Sequence, residues 1–214
     1  MTSSAKLVAV NVGHPREIDL GKRTISTAIY KVPVAGRVAV RGVNLNGDEQ
    51  ADRKLHGGPD KAVYAYGWDE TVAWGEELDR DLRPGAFGEN LTVAGLDVSG
   101  ALIGERWAVG STVLEVAQPR LPCFKLGIRM GDPTFVKRFG RAGRPGAYLR
   151  IVQEGDVGAG DAVEVMSRPD HDITMRLAAH AVLVDRSRLP ELLEAPTLLS
   201  DWREWITGLQ EPAR

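Results

Sequence analysis

Short apolar segments separated by glycine or proline recur along the first 168 residues of the chain. Residues 6–12, 24–30 and 37–43 are rich in β-branched residues, and each is followed by a turn signal. Similar segments continue to residue 166, which gives roughly eight to ten short strands at the spacing of a barrel or sandwich. No GxGxxG motif follows a strand, so a dinucleotide fold finds no support. The sequence therefore predicts a mainly β fold with a few short helices.

An amphipathic helix is predicted for residues 69–78. Its spacing directs Val72, Trp74 and Leu78 toward the core and Glu70 toward water. Further along, the predicted elements are a strand pair at 106–109 and 112–117, a short helix at 124–130, a helix from Asp132-Pro133 to about Phe139, and a strand at 147–153. A basic, glycine-rich loop, residues 140–146, precedes that last strand.

Beyond residue 168 the pattern changes to helix. Residues 173–184 carry Leu177, Ala181 and Val184 at helical spacing, and Ser200 can cap a second helix. The second helix has a predicted apolar stripe of Leu198, Trp202, Trp205, Ile206 and Leu209. We expect a β domain at 1–168 and a helical extension at 169–214, which is too short to be stable unless it is docked.

Composition narrows the class of protein. The 214 residues include 27 basic and 29 acidic side chains, so the formal charge is −2 and neither nucleic acid nor an anionic membrane is an expected partner. A single cysteine excludes an intramolecular disulfide and fits a reducing compartment. The apolar run near the N-terminus is too short for a signal peptide, and no later stretch approaches a membrane span. We therefore expect a cytoplasmic protein.

Cys123 is that single cysteine, and it follows the stiff segment Gln118-Pro119-Arg120-Leu121-Pro122. Proline has no N–H to donate, so this segment is not expected to be a regular central strand or a helix interior. Cations at Arg120 and Lys125 favour the thiolate, which is the form that acts as nucleophile or metal ligand. The alternative is a small buried hydrophobe without chemistry.

Two other segments combine glycine with functional side chains. Residues 52–61 place Arg53, Lys54, His56 and Lys61 around Gly57-Gly58, a composition that suits a phosphate, although a solvated turn has the same composition. His56 is a candidate ligand, acid or base, or structural residue. Residues 84–93 place Glu89 and Asn90 at the start of a strand, where a plain turn is the alternative.

With these segments the chain resembles the MOSC domain family, the molybdenum cofactor sulfurase C-terminal-type domains, and within it the YiiM-like branch. The matching stretches are 27–34 (TAIYKVPV), 51–64 (ADRKLHGGPDKAVY), 85–92 (GAFGENLT) and 118–123 (QPRLPC). The resemblance covers residues from about 6 to 168, and the tail resembles the three-helix extension of that branch. Glu105 replaces a usual aspartate, and Ala147 replaces a tryptophan that commonly precedes the tyrosine.

The resemblance implies a MOSC-type β-barrel that holds a molybdenum–molybdopterin cofactor (Moco) and no pyridoxal phosphate. Cys123 is then the molybdenum ligand, and Cys123 and His56 are the expected catalytic residues. The expected cofactor-binding residues are Lys31, Arg53, Lys54, His56, Gly57, Gly58, Lys61, Glu89, Asn90 and Arg120. Cations and glycine N–H groups suit the phosphate, and a soft thiolate suits a redox-active metal.

The function that the resemblance implies is reduction of a small N-hydroxylated substrate, such as a hydroxylaminopurine, to the amine. Electrons are expected from a separate flavin or iron–sulfur protein, because one cysteine cannot hold an iron–sulfur cluster. Two alternatives stay open: sulfur transfer through a persulfide on Cys123, and non-catalytic carriage of the cofactor. A thiol hydrolase ranks last, since no motif pairs Cys123 with a histidine base. The tryptophan-rich tail also allows a homodimer.

Overall fold

The structure is a computed structural model that describes residues 4–49 and 57–210. Its strands are β1 (Lys6–Val12), β2 (Arg16–Asp19), β3 (Thr24–Thr27), β4 (Val32–Pro33), β5 (Arg37–Arg41), β6 (Asn44–Leu45), β7 (Val63–Gly67), β8 (Leu91–Ala94), β9 (Arg106–Val109), β10 (Thr112–Pro119), β11 (Ala147–Gln153), β12 (Gly155–Gly158) and β13 (Val163–Ser167). Its α-helices are α1 (Trp68–Leu78), α2 (Phe124–Met130), α3 (Phe135–Arg141), α4 (Met175–Leu183) and α5 (Ser200–Gln210). Three 3-10 segments lie at Pro59–Lys61, Val98–Gly100 and Arg186–Glu194.

Eight strands form the main sheet in the order β13-β9-β10-β11-β7-β8-β1-β4. Its pairs are antiparallel except for β7 and β8, which run parallel because α1 connects them. A three-stranded sheet, β12-β5-β6, and the hairpin β2–β3 complete the β structure of the described residues. Lys6 of β1, the strand next to the β4 edge, forms one isolated bridge with Ala162, which precedes β13 at the opposite edge, but the described ladders do not close into a ring. The mainly β class is confirmed, and a closed barrel stays a prediction.

Two buried clusters hold the fold together. The larger one joins the inner face of the sheet, for example Trp107 and Leu114, to residues of the tail such as Met175, Leu192 and Ile206. The smaller one is aromatic and lies between α1, α3 and the loop before β8; it comprises Tyr64, Tyr66, Trp74, Phe87, Phe135 and Phe139 with Ala86, Leu126 and Met130. The tail is thus docked on the sheet, as its short length requires. The domain boundary at residue 168 stays a prediction.

Several elements begin and end where the sequence predicts. The bounds of β1, β9, β11 and α2 are confirmed residue by residue, and β9 pairs with β10 across Gly110-Ser111. Alternation and turn residues are the strongest local signals, which explains why these elements are predicted well. None of the described helices combines the length and the apolar character that crossing a bilayer demands.

The buried face of α1 differs from the predicted one. Val72 is 43% exposed, whereas Thr71 and Trp74 are buried and Glu70 is largely covered. Positions 70, 71, 74 and 78 share one helix face at i, i+3 or i+4 spacing, and this face packs on the sheet. The predicted orientation of Val72 and Glu70 is therefore wrong, because Thr71, not Val72, continues the stripe of Trp74.

The apolar stripe of the tail is also narrower than predicted. Ile206 is buried and Trp202 is half-buried, but Trp205 is 37% and Leu209 58% exposed. Trp202 and Ile206 are four residues apart and reach the core together, while Trp205 and Leu209 form a second stripe beside them. On α4, Val184 lies past the last helical residue and is 48% exposed.

Two predictions about proline need correction. Gln118 and Pro119 belong to β10 and pair with Tyr148 and Ala147 after a register shift. The strand tolerates Pro119 because β9 pairs only with residues 112–115, which leaves this end of β10 without a ladder on that side. Asp132 does not cap a helix that starts at Pro133; its Oδ1 accepts the N–H of Thr134 at 2.8 Å, and α3 starts at Phe135, two residues after Pro133.

Candidate functional site

A cleft opens at the end of β10. There the segment after β10 meets the segments that follow β3 and β6 and the 3-10 segment Pro59–Lys61. It encloses about 700 Å³, counted to its open mouth. The lining residues are Thr27, Ala28, Ile29, Lys31, Asp48, Glu49, Lys61, Tyr64, Phe87, Gly88, Asn90, Arg120, Leu121, Cys123, Lys125 and Tyr148. The structure therefore brings five predicted site residues together: Lys31, Lys61, Asn90, Arg120 and Cys123.

Cys123 is partly exposed at the wall of this cleft. It is the N-cap residue of α2, with extended backbone angles, and its carbonyl accepts the N–H of Leu126 at 2.9 Å. Pro122 before it and the helix after it fix the position of the sulfur. The start of a helix favours a negatively charged group, so this is a suitable place for a thiolate ligand or nucleophile.

Arg120 is a buried cation on the same wall. It is 5% exposed, and within the described part of the chain no carboxylate forms an ion pair with it. Its guanidinium carbon lies 5.6 Å from the ring centroid of Tyr64 and 5.3 Å from that of Phe139. The Nη1 nitrogen has no hydrogen-bond partner. A buried, unneutralised guanidinium is costly by itself, which is typical of a site that receives an anion.

Lys31 is also buried in the cleft, but its charge is matched within the protein. Its Nζ donates to Oδ1 of Asp48, and the two side chains are 9% and 2% exposed. Asp48 additionally accepts the N–H of Gly13 at 2.8 Å. Burial lowers the pKa of Lys31, while the charge of Asp48 opposes that shift. The paired geometry does not favour the predicted contact of Lys31 with a phosphate.

Asn90 lines the cleft with its amide already engaged. Its Oδ1 accepts the N–H of Tyr64 at 3.1 Å, and its Nδ2 donates to Oδ2 of Asp48 at 3.0 Å and to the carbonyl of Asn11 at 3.3 Å. These bonds join β1, β7 and the loop before β8. Asn90 therefore holds the wall of the cleft in place.

Glu89 does not line the cleft. It is fully buried, and its carboxylate accepts hydrogen bonds from the N–H of Gly85 (2.6 Å), the N–H of Phe87 (3.0 Å) and Oγ1 of Thr92 (2.9 Å). Burial raises its pKa, and these hydrogen bonds act in the opposite direction. Its position fits a structural anchor for the loop 85–89 and does not favour the predicted bond to a pterin.

The glycine-rich segment is described only from residue 57. Arg53, Lys54 and His56 lie outside the described residues, so their predicted roles stay predictions. Gly58 has φ +97°, where glycine is favoured, and precedes the 3-10 turn Pro59–Lys61. Of this segment, the cleft lining includes Lys61 but neither Gly57 nor Gly58. Asp60 pairs with Arg150 of β11, which fastens the turn to the sheet.

Sequence reasoning missed several lining residues. Asp48 does not belong to a recognisable local motif, and the sequence around Tyr64 and Tyr148 indicates only that they are strand residues. Burial raises the pKa of Tyr148, while the nearby charge of Arg120 opposes the shift, so its hydroxyl keeps its proton. Ala147, the departure from the family pattern, is fully buried and does not line the cleft. The alternation of β11 is the signal that points Tyr148, and not Ala147, toward the cleft.

The described residues include no group of three or more histidine, cysteine or acidic side chains arranged to hold a metal ion. The cleft instead combines one thiol with cations and tyrosine hydroxyls. A model of the MOSC domain matches residues 52–164. The chain belongs to the MOSC domain family.

Similar proteins agree with this assignment. The chain is 36% identical over 200 residues to the uncharacterized protein YflK of Bacillus subtilis, spanning 92% of this chain and 90% of YflK. It is 32% identical over 182 residues to protein YiiM of Escherichia coli, spanning 82% and 81%. The crystal structure of YiiM from Geobacillus stearothermophilus superposes with a TM-score of 0.77 at 29% identity, over 95% of this chain and 98% of that one. The resemblance to the YiiM-like branch is confirmed.

A fungal relative is much longer than the matched region. The chain is 36% identical over 167 residues to a protein named "Reductase" from Gibberella moniliformis. The match spans 76% of this chain but 29% of the fungal protein. The similarity is therefore to one part of a larger protein.

Proposed function

We propose that the chain is a molybdenum-cofactor-dependent reductase of small N-hydroxylated compounds. The observation that carries the proposal is that one cleft is lined both by a partly exposed thiol, Cys123, and by a buried guanidinium, Arg120, that lacks a carboxylate partner in the described chain. Membership of the MOSC domain family and the fungal relative named "Reductase" support it.

The residues of the cleft fit the proposed cofactor. A metal that arrives on a pterin dithiolene needs one further soft ligand from the protein, and the described cleft offers a single thiol with no cluster of harder ligands. The phosphate of that cofactor needs fixed cations, and Arg120 has an Nη1 nitrogen without a partner. We therefore assign Cys123 to the metal and Arg120 to the phosphate.

Other cations of the cleft complete the anion site. Lys61 and Lys125 line the cleft beside Arg120 and Cys123. We assign the two lysines to the phosphate and expect Lys31 to act differently, because Asp48 already neutralises it. Gly88, with φ +78°, brings the backbone of the loop 85–89 to the cleft surface, where a side chain would meet Ile29.

The overall reaction requires electrons and protons. A substrate R–NHOH takes up two electrons and two protons and leaves as R–NH2 and water. When it is bound, the cofactor supplies the two-electron redox change that this conversion requires. Nζ of Lys31 donates to Asp48 and Oη of Tyr148 holds a proton, and both residues line the cleft. We assign these two groups to hydrogen bonding of the substrate's N–OH group and to proton supply.

The substrate assay that tests this proposal uses protein made in a host that synthesises the cofactor. With a chemical reductant as electron source, we expect reduction of 6-hydroxylaminopurine to adenine by the wild type and loss of at least about a hundredfold in rate for Cys123→Ala. The control is Met166→Ala, which alters an exposed residue that does not line the cleft. Equal rates in wild type and Cys123→Ala would overturn the proposal.

One observation favours a second candidate, sulfur transfer. The Cys123 side chain is partly exposed at an open cleft, so a small sulfur donor has access to it. That function predicts an added mass of one sulfur atom on Cys123 after incubation with a sulfane donor, and no dependence on molybdenum. An unmodified intact mass would remove this alternative.

A further inference from the structure

We propose that a basic groove between α1 and α3 docks an acidic electron-donor protein. The basic groove is lined by Trp74 and Glu77 of α1 and by Lys137, Arg138, Arg141 and Arg144 of α3 and the loop after it. The inference rests on the proposed function, because a reductase of this kind needs electrons from outside its own chain. The basic groove is thus the proposed binding surface for the predicted electron-donor protein.

The positive charge of the groove is local. Four cations face one carboxylate there, although the whole chain carries a formal charge of −2. Arg138 and Arg144 share Glu77, at 3.0 Å and 2.5 Å. Lys137 and Arg141 are exposed, four residues apart on one helix face, and neither forms an ion pair within the described residues. The groove therefore presents cations that are available to an acidic surface.

The guanidinium groups of the groove are held in place. The guanidinium carbon of Arg144 lies 3.9 Å from the ring centroid of Trp74, and that of Arg138 lies 5.3 Å from it. Trp74 itself is fully buried and is fixed by its indole N–H, which donates to the hydroxyl of Tyr66 at 2.9 Å. Cations that are already ordered lose little side-chain entropy when a partner binds.

The groove lies behind the wall of the cleft. Phe139, on the buried face of α3, lies 5.3 Å from the guanidinium carbon of Arg120, which lines the cleft. Arg120 and Arg144 also line the same narrow crevice, together with Pro122, the neighbour of Cys123. A protein docked on α3 is thus separated from the segment that carries Cys123 by the side chains of one helix.

An acidic donor protein suits this surface better than other occupants. Redox partners meet through small, transient contacts, and complementary charge raises their rate of encounter. Four cations on a short helix and loop match such a contact in size, whereas a nucleic-acid-binding face usually carries a larger basic stripe.

The binding test uses an acidic flavodoxin as probe and needs no bound cofactor. We compare the wild type with Lys137→Glu/Arg141→Glu, with the neutral pair Lys137→Gln/Arg141→Gln, and with the control Lys6→Glu/Lys22→Glu. The control residues are exposed and form no ion pair within the described residues. We expect weakening of about tenfold or more for the glutamate pair at low salt, a smaller loss for the glutamine pair, and no loss for the control. Thermal unfolding confirms that each variant is folded.

A kinetic arm separates this inference from the proposed function. With cofactor-loaded protein, turnover is measured once with reduced flavodoxin and once with a small chemical reductant. We expect Lys137→Glu/Arg141→Glu to slow only the flavodoxin-driven rate, and added salt to lower the wild-type rate. Absence of turnover with the chemical reductant would reject the proposed function but leave the binding test valid.

Two results would overturn the docking proposal. The first is equal flavodoxin binding by the groove variants and by Lys6→Glu/Lys22→Glu at low salt. The second is binding of duplex DNA, but not of flavodoxin, that depends on Lys137 and Arg141. Either result would show that the basic groove is not a docking site for an acidic donor.

Discussion

Lys31 and Asp48 form a buried ion pair on the wall of the cleft, where both side chains are almost fully withdrawn from water. Asp48 also accepts bonds from the N–H of Gly13 and from Nδ2 of Asn90, so three segments of the chain depend on one carboxylate. Removing one member of such a pair leaves an uncompensated charge in a poorly solvated place. The Lys31–Asp48 ion pair therefore holds the wall of the cleft in position and also contributes to the stability of the fold.

Asp48→Ala should lower the free energy of unfolding by about 3–5 kcal/mol, because it leaves the ammonium group of Lys31 buried and unpaired. Urea denaturation at pH 7 measures this loss. Glu49→Ala is the matched control, since Glu49 is the exposed neighbour that pairs with His14 at the surface, and we expect it to cost less than about 1 kcal/mol. A similar cost for both variants would contradict the buried pair.

Arg120→Met should weaken cofactor binding without lowering the free energy of unfolding. It replaces a buried guanidinium without a carboxylate partner by an apolar side chain of similar length, so the free energy of unfolding without cofactor should be unchanged or about 1–3 kcal/mol higher. The same variant should retain at least about tenfold less molybdopterin after purification, since one charge-assisted contact is lost. The measurements are urea denaturation and pterin fluorescence after oxidation.

Arg120→Lys is the control for that experiment, because it keeps the charge but loses the planar fork. We expect its pterin content to lie between those of the wild type and Arg120→Met. Loss of stability in Arg120→Met together with full pterin content would show that Arg120 serves the fold and not an anion.

Glu89→Ala should destabilise the protein by about 3 kcal/mol or more, since the N–H groups of Gly85 and Phe87 and the hydroxyl of Thr92 lose their acceptor. Glu89→Gln keeps one acceptor oxygen and should cost less. Denaturant unfolding measures both variants. A variant that retains wild-type stability but loses pterin would restore the ligand role that the sequence predicted.

The stability of the fold should depend on the ionisation of Glu70. Burial raises the pKa of Glu70 to about 7, and neither of its carboxylate oxygens has a hydrogen-bond partner within the described residues. The folded state therefore binds an extra proton between about pH 4.5 and pH 7, and stability is lost as the pH rises through that window. Above pH 7 the buried carboxylate costs up to about 3 kcal/mol.

Glu70→Gln removes that ionisation. At pH 8 it should be more stable than the wild type by up to about 3 kcal/mol, and near pH 4.5 the difference should fall below about 0.5 kcal/mol. Glu76→Gln, on the exposed face of the same helix, should show no such dependence. Parallel pH profiles for the wild type and Glu70→Gln would contradict an elevated pKa of Glu70.

Local patterns in the sequence predict a large part of this fold. The alternation of β1 and β11 and the proline-bounded helix α2 are visible in short windows, and Cys123 is conspicuous as the single cysteine on a stiff segment. The family resemblance then adds the expectation that distant segments meet at Cys123. Lys31, Lys61, Asn90 and Arg120 do line the same cleft.

The remainder depends on contacts that short windows do not contain. Lys31 looks like a phosphate ligand until its partner Asp48 is brought to it by folding. Glu70 looks solvated because helical spacing alone does not select which of two neighbouring stripes is buried. Pro119 can end β10 because β9 pairs with β10 only as far as residue 115. That pairing is set by the whole sheet and is not visible in the sequence around Pro119.

The role of Cys123 as metal ligand is tested most directly by the molybdenum and pterin content of protein purified from a cofactor-producing host, with the wild type beside Cys123→Ser. We expect near-stoichiometric molybdenum in the wild type and a sharp fall in Cys123→Ser, because a hydroxyl is a poor substitute for a thiolate toward this metal. Molybdenum retained equally by both proteins, or bound by neither, would contradict the assignment of Cys123 as the metal ligand. Pterin without metal in both would favour a carrier.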